Sequence, residues 1–176
     1  METLLTLFSP RSALVRALYR LPLLLWRMGL GWMLPRSMLV LTTRGRVSGL
    51  PRHTMLEQFV HKGQVVVGSA WGDRSQWALN LAASDVVSAE TWSGGVTRAR
   101  ARAIRDETVL ADLRKKLPSG SEESDGRSRI SDFLFWTIEA ADVAAPAPLR
   151  RDLRHVPLLL LALFILLFVL SRGFAS

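Results

Sequence analysis

Val86-Val87-Ser88-Ala89-Glu90-Thr91-Trp92, then Ser93-Gly94-Gly95, then Val96-Thr97-Arg98-Ala99-Arg100-Ala101-Arg102-Ala103-Ile104, is the stretch that decides the fold. Two runs with β-branched residues flank a Gly-Gly turn, the pattern of an antiparallel hairpin. In the second arm arginine alternates with alanine. Successive side chains on a strand point to opposite faces, so one face is basic and the other small and apolar. The same logic predicts a hairpin upstream, with Arg52–Val60 and Gln64–Gly68 joined by the turn His61-Lys62-Gly63. Before it, Met38–Thr43 reads as a buried strand, and Phe133–Ile138 reads as the last one. Between the strands stand only short helices, Gln76–Ala83 with Ser75 as N-cap and Glu107–Leu117 with Asp106 as cap. The polar Pro118–Ser128 reads as a mobile loop. Strands arriving as successive hairpins predict a mainly β (α+β) chain built on an antiparallel barrel rather than a βαβ sheet.

Composition narrows the chemistry. The 176 residues carry 23 Lys plus Arg against 15 Asp plus Glu, a formal charge of +8, with 49% hydrophobic residues and no cysteine. The length suits a single domain, and the apolar content excludes a disordered chain. Absence of cysteine excludes disulfides, thiolate zinc sites and a cysteine nucleophile. No carboxylate pair or Ser/His/Asp set stands at a diagnostic spacing, and His53, His61 and His155 read as surface or linker residues rather than metal ligands. The basic balance suits phosphates, nucleic acid or an anionic membrane face. Nucleic acid is the poorest of these, because the arginines of 98–102 are interleaved with alanine and not with stacking aromatics.

Both ends point to a membrane. Val156–Leu170 is fifteen residues without a polar side chain; at 1.5 Å per residue it reaches about 22 Å against a hydrocarbon core of about 30 Å. Ser171 and the stem of Arg172 extend it, so a transmembrane anchor is expected over 156–171; a core helix would need neighbours on every face. Arg150, Arg151 and Arg154 precede it and only Arg172 follows, which places the preceding domain at the cytoplasmic face of the cell membrane. Ser9-Pro10 signals a helix start, and Leu14, Leu18, Leu21, Leu24 and Leu25 recur at helical spacing. Arg16, Arg20 and Arg27 fall within about 40° on the helical wheel, the layout of a basic interfacial helix or of an amphipathic helix packed on the domain. Pro22 would kink it, and Arg27 with no cleavage site after it argues against a signal peptide. The expected organisation is 1–37 amphipathic helical, 38–143 barrel, 144–155 Ala/Pro and basic linker, and 156–171 anchor.

The segment Thr42-Thr43-Arg44-Gly45-Arg46-Val47-Ser48-Gly49-Leu50-Pro51-Arg52 runs from a strand end into a turn with glycines, hydroxyls and arginines. Free backbone N–H groups, hydroxyl donors and guanidinium forks are the groups that hold phosphate. It is neither a Walker loop nor a nucleophile elbow, since the Lys-Ser/Thr pair is missing and the serine stands fourth of five in Gly45–Gly49. A basic surface loop is the plain alternative.

Leu41 to Arg52, followed by a valine-rich hairpin and Trp77-Ala78-Leu79-Asn80-Leu81, resembles the deazaflavin-dependent nitroreductase family. Tyr19-Arg20-Leu21-Pro22 and Gly29-Leu30-Gly31 are similar to that family's N-terminal region. The resemblance implies a split β-barrel that binds coenzyme F420 as the reduced deazaflavin, needs no metal, and passes hydride to nitroimidazole-like compounds or quinones. It implies a coenzyme tail held at Arg44, Gly45, Arg46, Ser48, Gly49 and Arg52, a ring near Ser69, Ala70, Trp71, Gly72 and Trp77, and Asn80 behind them. Val47 stands where the family commonly has lysine and Ala78 where it has an aromatic residue, and the family's C-terminal tyrosines have no match, Tyr19 being the only tyrosine. A deazaflavin carries the hydride itself, so no protein nucleophile is required. The expected function is therefore a membrane-associated F420-binding oxidoreductase acting on a quinone or nitroaromatic-like acceptor. The alternatives are a non-catalytic split-barrel protein that binds a lipid, fatty acid or other cofactor at the membrane, and a basic tail-anchored interaction protein.

Overall fold

Side-chain parity around the sheet decides how the strands close. The computed structural model describes residues 13–69, 72–115 and 133–173, in two compact units, one of residues 35–149 and one of residues 13–34 with 150–173. The first unit contains β1 Met38–Arg44, β2 Pro51–His61, β3 Gln64–Ser69, β4 Val86–Thr91, β5 Gly95–Ala103 and β6 Leu134–Ala140. The pairings are antiparallel and the order β1-β2-β3-β6-β5-β4 returns to β1, a closed barrel. Leu39 lies opposite Leu56, and Leu41 opposite both Thr54 and Ala89. Val87 faces Ala99, Ala101 faces Ile138, and Ile138 faces Val65. Alternate residues share a face, so these partners line one continuous interior.

The interior is filled from a helix as well as from strands. Leu39, Leu41, Val67, Val87, Ala99, Ala101 and Trp136 are buried with Trp77, Ala78 and Leu81 of α2, a helix over Gln76–Ala83. Alanines on β5 leave room for two indoles, and Trp77 meets Trp136 edge to face with centroids 4.9 Å apart. Arginines of the same strand point outward as their alternation predicts. Arg100 pairs with Asp85 and Arg102 with Glu139, each at 2.9 Å, so this basic face is a solvated, ion-paired surface.

β3 and β6 are covered on their outer face too. Val66, Phe133 and Phe135 pack beneath Leu110 and Leu113 of α3, a helix over Glu107–Lys115. The Phe135 ring lies against Gly68, where a Cβ would come within 2.9 Å of it. Asp106 caps α3: its carboxylate accepts from the Thr108 hydroxyl at 2.6 Å and from the N–H groups of Thr108 and Val109. These bonds, the hydroxyl's first, hold the Asp106 carboxyl below its ordinary range. Ser75 stands at the N-cap of α2 without a capping bond, because its hydroxyl is shared with that of Ser69. His61 is buried and His53 half-buried, which corrects their reading as surface residues: each lies on β2 beside a packed helix or loop. In the 144–148 stretch Pro146 is buried and its carbonyl accepts from Ser88 at 2.6 Å. The loop expected at Pro118–Ser128 lies outside the described residues.

The second unit contains α1 Ala13–Arg27, with Pro22 inside it, and α4 Val156–Gly173. Arg27 grips Asp152 through two bonds, Nε to Oδ1 at 2.9 Å and Nη2 to Oδ2 at 2.6 Å. The pair keeps the Asp152 carboxyl below, and the Arg27 guanidinium above, their ordinary ranges. Arg27 thus pairs with a residue distant in sequence; Ser9-Pro10 and the Arg16 side chain, on which the expected basic face also rests, lie outside the described residues. Arg151 stacks over the Trp26 ring, 5.8 Å from its centroid.

Among the described residues no helix is long and apolar enough to cross a membrane. This corrects the transmembrane anchor expected over 156–171. The apolar run ends at Leu170, about 22 Å from its start along the axis, and Ser171 and Arg172 do not make up the shortfall to a core of about 30 Å.

Two outcomes follow from this packing. Phe135→Ala opens a cavity beneath α3 and should cost about 3–5 kcal/mol in chemical denaturation, while Arg100→Ala should stay within about 0.5 kcal/mol. Asp106 binds its proton less readily folded than unfolded, so its support is complete above the unfolded value near 3.9 and is lost as pH falls through the lower folded value. Asp106→Asn should flatten that part of the acid-unfolding curve, read by circular dichroism.

Candidate functional site

The connection between β1 and β2 is a tight loop closed by its own backbone. The Gly45 N–H donates to the Leu50 carbonyl at 2.9 Å, and the Gly49 N–H to the Gly45 carbonyl at 2.7 Å. Glycine is required at both places: Gly49 sits at φ +68°, and a Cβ on Gly45 would come within 2.9 Å of Ser48 Oγ and 3.2 Å of the Leu50 carbonyl. Ser48 Oγ accepts from the Leu50 N–H at 3.4 Å and from Arg52 Nη2 at 3.3 Å.

Helix α2 fixes this loop from below. Trp77, Ala78 and Leu81 turn into the barrel, and the opposite-facing pair Gln76 and Asn80, one turn apart, meets the loop. Buried Asn80 donates from Nδ2 to Thr43 Oγ1 at 3.1 Å. Its Oδ1 accepts from the Arg46 N–H at 3.2 Å and from Arg46 Nη1 at 3.3 Å. The same Nη1 donates to Gln76 Oε1 at 3.1 Å, so both the backbone and the fork of Arg46 are oriented by α2.

Loop, strand and helix enclose a cavity of about 480 Å³. It is lined by Gly45, Arg46, Val47 and Ser48 from the loop, Arg52, His53 and Thr54 from β2, and Gln76, Trp77 and Asn80 from α2. Two guanidinium groups face it and none of these residues is a carboxylate, so the cavity favours an anion. Trp77 supplies an aromatic wall, and His53 is held by a bond between Nδ1 and Thr42 Oγ1 at 2.9 Å.

Six of the residues singled out in the sequence meet here: Gly45, Arg46, Ser48, Arg52, Trp77 and Asn80. Arg44 is exposed at the end of β1 and Gly49 closes the turn, and neither lines the cavity. Ser69 and Gly72 are buried next to each other, Ser69 Oγ donating to the Gly72 carbonyl at 2.9 Å, in the connection from β3 to α2. Ala70 and Trp71 lie outside the described residues. Sequence reasoning missed His53, Thr54 and Gln76. Gln76 was recoverable, since it precedes Asn80 by one helical turn; Thr54 shares a strand face with Arg52.

The geometry suits an anionic, ring-bearing cofactor in volume, charge and aromatic wall. The comparisons give the family. The family model described as F420H(2)-dependent quinone reductase matches residues 27–124, more than half of the chain and the whole of this cavity. The chain belongs to the F420H(2)-dependent quinone reductase family and is an F420-dependent oxidoreductase by that membership. No curated protein matches the sequence.

Solved structures resemble the chain at low identity and over part of its length. General Stress Protein 26 from Bacillus anthracis is 12% identical, with 66% of this chain and 88% of that one covered and a TM-score of 0.47. A pyridoxamine 5'-phosphate oxidase-related, FMN binding protein from Nostoc punctiforme is 13% identical over 68% of this chain and 78% of that one, TM-score 0.47. A protein of unknown function from Agrobacterium tumefaciens is 18% identical over 60% of this chain, TM-score 0.44, and the match spans 48% of its length.

Asn80→Ala leaves the Thr43 hydroxyl and the Arg46 N–H without their partner. It should cost about 1–3 kcal/mol of stability and speed amide exchange at Arg46 more than at Thr137 on β6, three strands round the barrel from β1, read by hydrogen exchange.

Proposed function

We propose that this protein is a membrane-associated oxidoreductase that passes hydride from reduced F420 to a quinone or a nitroaromatic-like acceptor. The observation that carries this reading is the arginine-lined, carboxylate-free cavity inside the segment matched by the family. Arg46 and Arg52, with the Ser48 hydroxyl, are the groups to hold an anionic coenzyme tail, and Trp77 is the surface for a flat ring to pack on. The bound deazaflavin supplies the hydride. The chain's own work is to orient: Gln76 and Asn80 hold the Arg46 fork in one direction, and the contact with Trp136 fixes the Trp77 ring in the cavity wall.

Membrane association rests on α4. Its described side chains from Leu158 to Ile165 are bare around the helix, Leu159 and Phe164 both 67% exposed. A surface this apolar needs cover, and a lipid leaflet covers every face of a helix whose backbone is already satisfied. The helix is proposed to sit within one leaflet, with exposed Arg150 and Arg154 at the anionic cytoplasmic surface, where the protein meets membrane-dissolved quinones.

Quenching of deazaflavin fluorescence should saturate at micromolar F420 with the full-length protein in detergent. Arg46→Ala and Arg52→Ala should each weaken binding by about 1–3 kcal/mol, roughly 5- to 150-fold in Kd, without loss of fold. No quenching by wild type would favour a split barrel for a lipid or another cofactor. Leu160→Glu with Phe164→Glu should move the protein from the membrane to the soluble fraction, and a double variant that stays on membranes would rule out α4 as the anchor.

A further inference from the structure

We propose that the other end of β2 carries a second binding site, for a phosphate-sized oxyanion, formed by His61, Lys62 and Lys115 against the flank of α3. His61 shares the outer face of β2 with Phe59, which lies opposite Val66, and Val66 is covered by α3. On α3, Thr108, Asp112 and Lys115 recur at i, i+4 and i+7 and so form one stripe facing His61 and Lys62 across a cavity of about 140 Å³.

His61 is the informative residue. Only 8% of it is exposed, and among the described residues neither ring nitrogen has a hydrogen-bond partner. A buried imidazole has at least one N–H to donate, and leaving it unmade is costly, so the site calls for an acceptor. The neighbours decide the acceptor's charge. Among the residues that line it, Lys62 and Lys115 stand against the one carboxylate of Asp112, so the lining itself carries a net positive charge, with Asp106 near Lys62 outside it. Lys62 also helps keep the carboxylate of Asp106 charged. A metal is not favoured, since among the described residues no three His, Asp or Glu side chains gather to share one. The turn itself does not ask for lysine: Lys62 and Gly63 sit at φ +49° and +79°, a geometry in which asparagine or glycine is preferred at the first position.

Size limits the ligand further. A water's share of liquid is about 30 Å³, so the space is worth roughly four or five waters: room for a tetrahedral oxyanion or the head of a phosphate monoester, and too little for a ring cofactor. His61 stands nine residues along β2 from Arg52, about 30 Å at 3.3 Å per residue, so the two sites are separate.

The test uses the full-length protein in a phosphate-free buffer and detergent. The chain has three histidines, so the imidazole Hε1 signals in NMR are few, and that of His61 is the one missing in His61→Gln. Inorganic phosphate should shift that signal saturably in the millimolar range. Lys62→Ala and Lys115→Ala, both at exposed positions, should weaken the response about tenfold or more, while Arg46→Ala should leave it intact. Short-chain phosphatidate run in parallel separates a lipid headgroup from the free ion, and saturation by either supports the site. A non-saturating drift with both probes, a response unchanged in both lysine variants, or one abolished by Arg46→Ala would overturn the proposal.

Discussion

The side-chain amide of Asn80 is the point at which strand, loop and helix are tied together. Its two ends serve different masters: Nδ2 is taken by Thr43 on β1, and Oδ1 by the backbone and guanidinium of Arg46 in the loop. Because the amide is buried, these bonds are electrostatically strong and their loss is not made good by water. A glycine-bounded loop on a barrel rim has many conformations available to it, and the amide selects the one in which Arg46 faces the cavity. The cavity's charge therefore depends on a neutral group.

The barrel makes that arrangement possible through an exchange of sizes. Ala99 and Ala101 on β5 take little space, and the indoles of Trp77 and Trp136 take what is left. Helix α2 can then sink one face into the interior and keep Gln76 and Asn80 at the loop. Trp77 serves both sides of this balance, as a core residue against Trp136 and as the wall of the cavity. On the opposite flank, α3 performs the same service for β3 and β6, and the double covering of those strands explains why their residues read as continuous apolar runs.

The second unit shows how charge and apolar surface are divided. Residues far apart in the chain join through the Arg27–Asp152 bridge, partly exposed on both sides, and through the Arg151–Trp26 stack, in which the indole is buried. Helix α4 has no comparable cover on its described side chains. The contrast separates a part of this unit covered by protein from a part whose described side chains are left bare.

Much of the barrel was legible in the residues because its signals are local. Period-two alternation in β5, the Gly-Gly and Lys-Gly turns and the spans of β1, β2 and β3 depend on neighbours one to three positions away, and each strand begins and ends within a residue or two of its expected place. The loop arginines were legible for the same reason, as a dense run of glycine, hydroxyl and guanidinium. What could not be read was which distant residues those local pieces would meet. His53 and Gln76 join the cavity only once β2 and α2 are brought side by side, Arg27 finds Asp152 across 125 positions, and His61 becomes buried only when α3 lies down on the sheet. Sequence determines the period of a strand and the chemistry of a turn through short-range sterics. Burial, pairing and the sign of a cavity are sums over residues far apart in the chain, and closure of the barrel sets them.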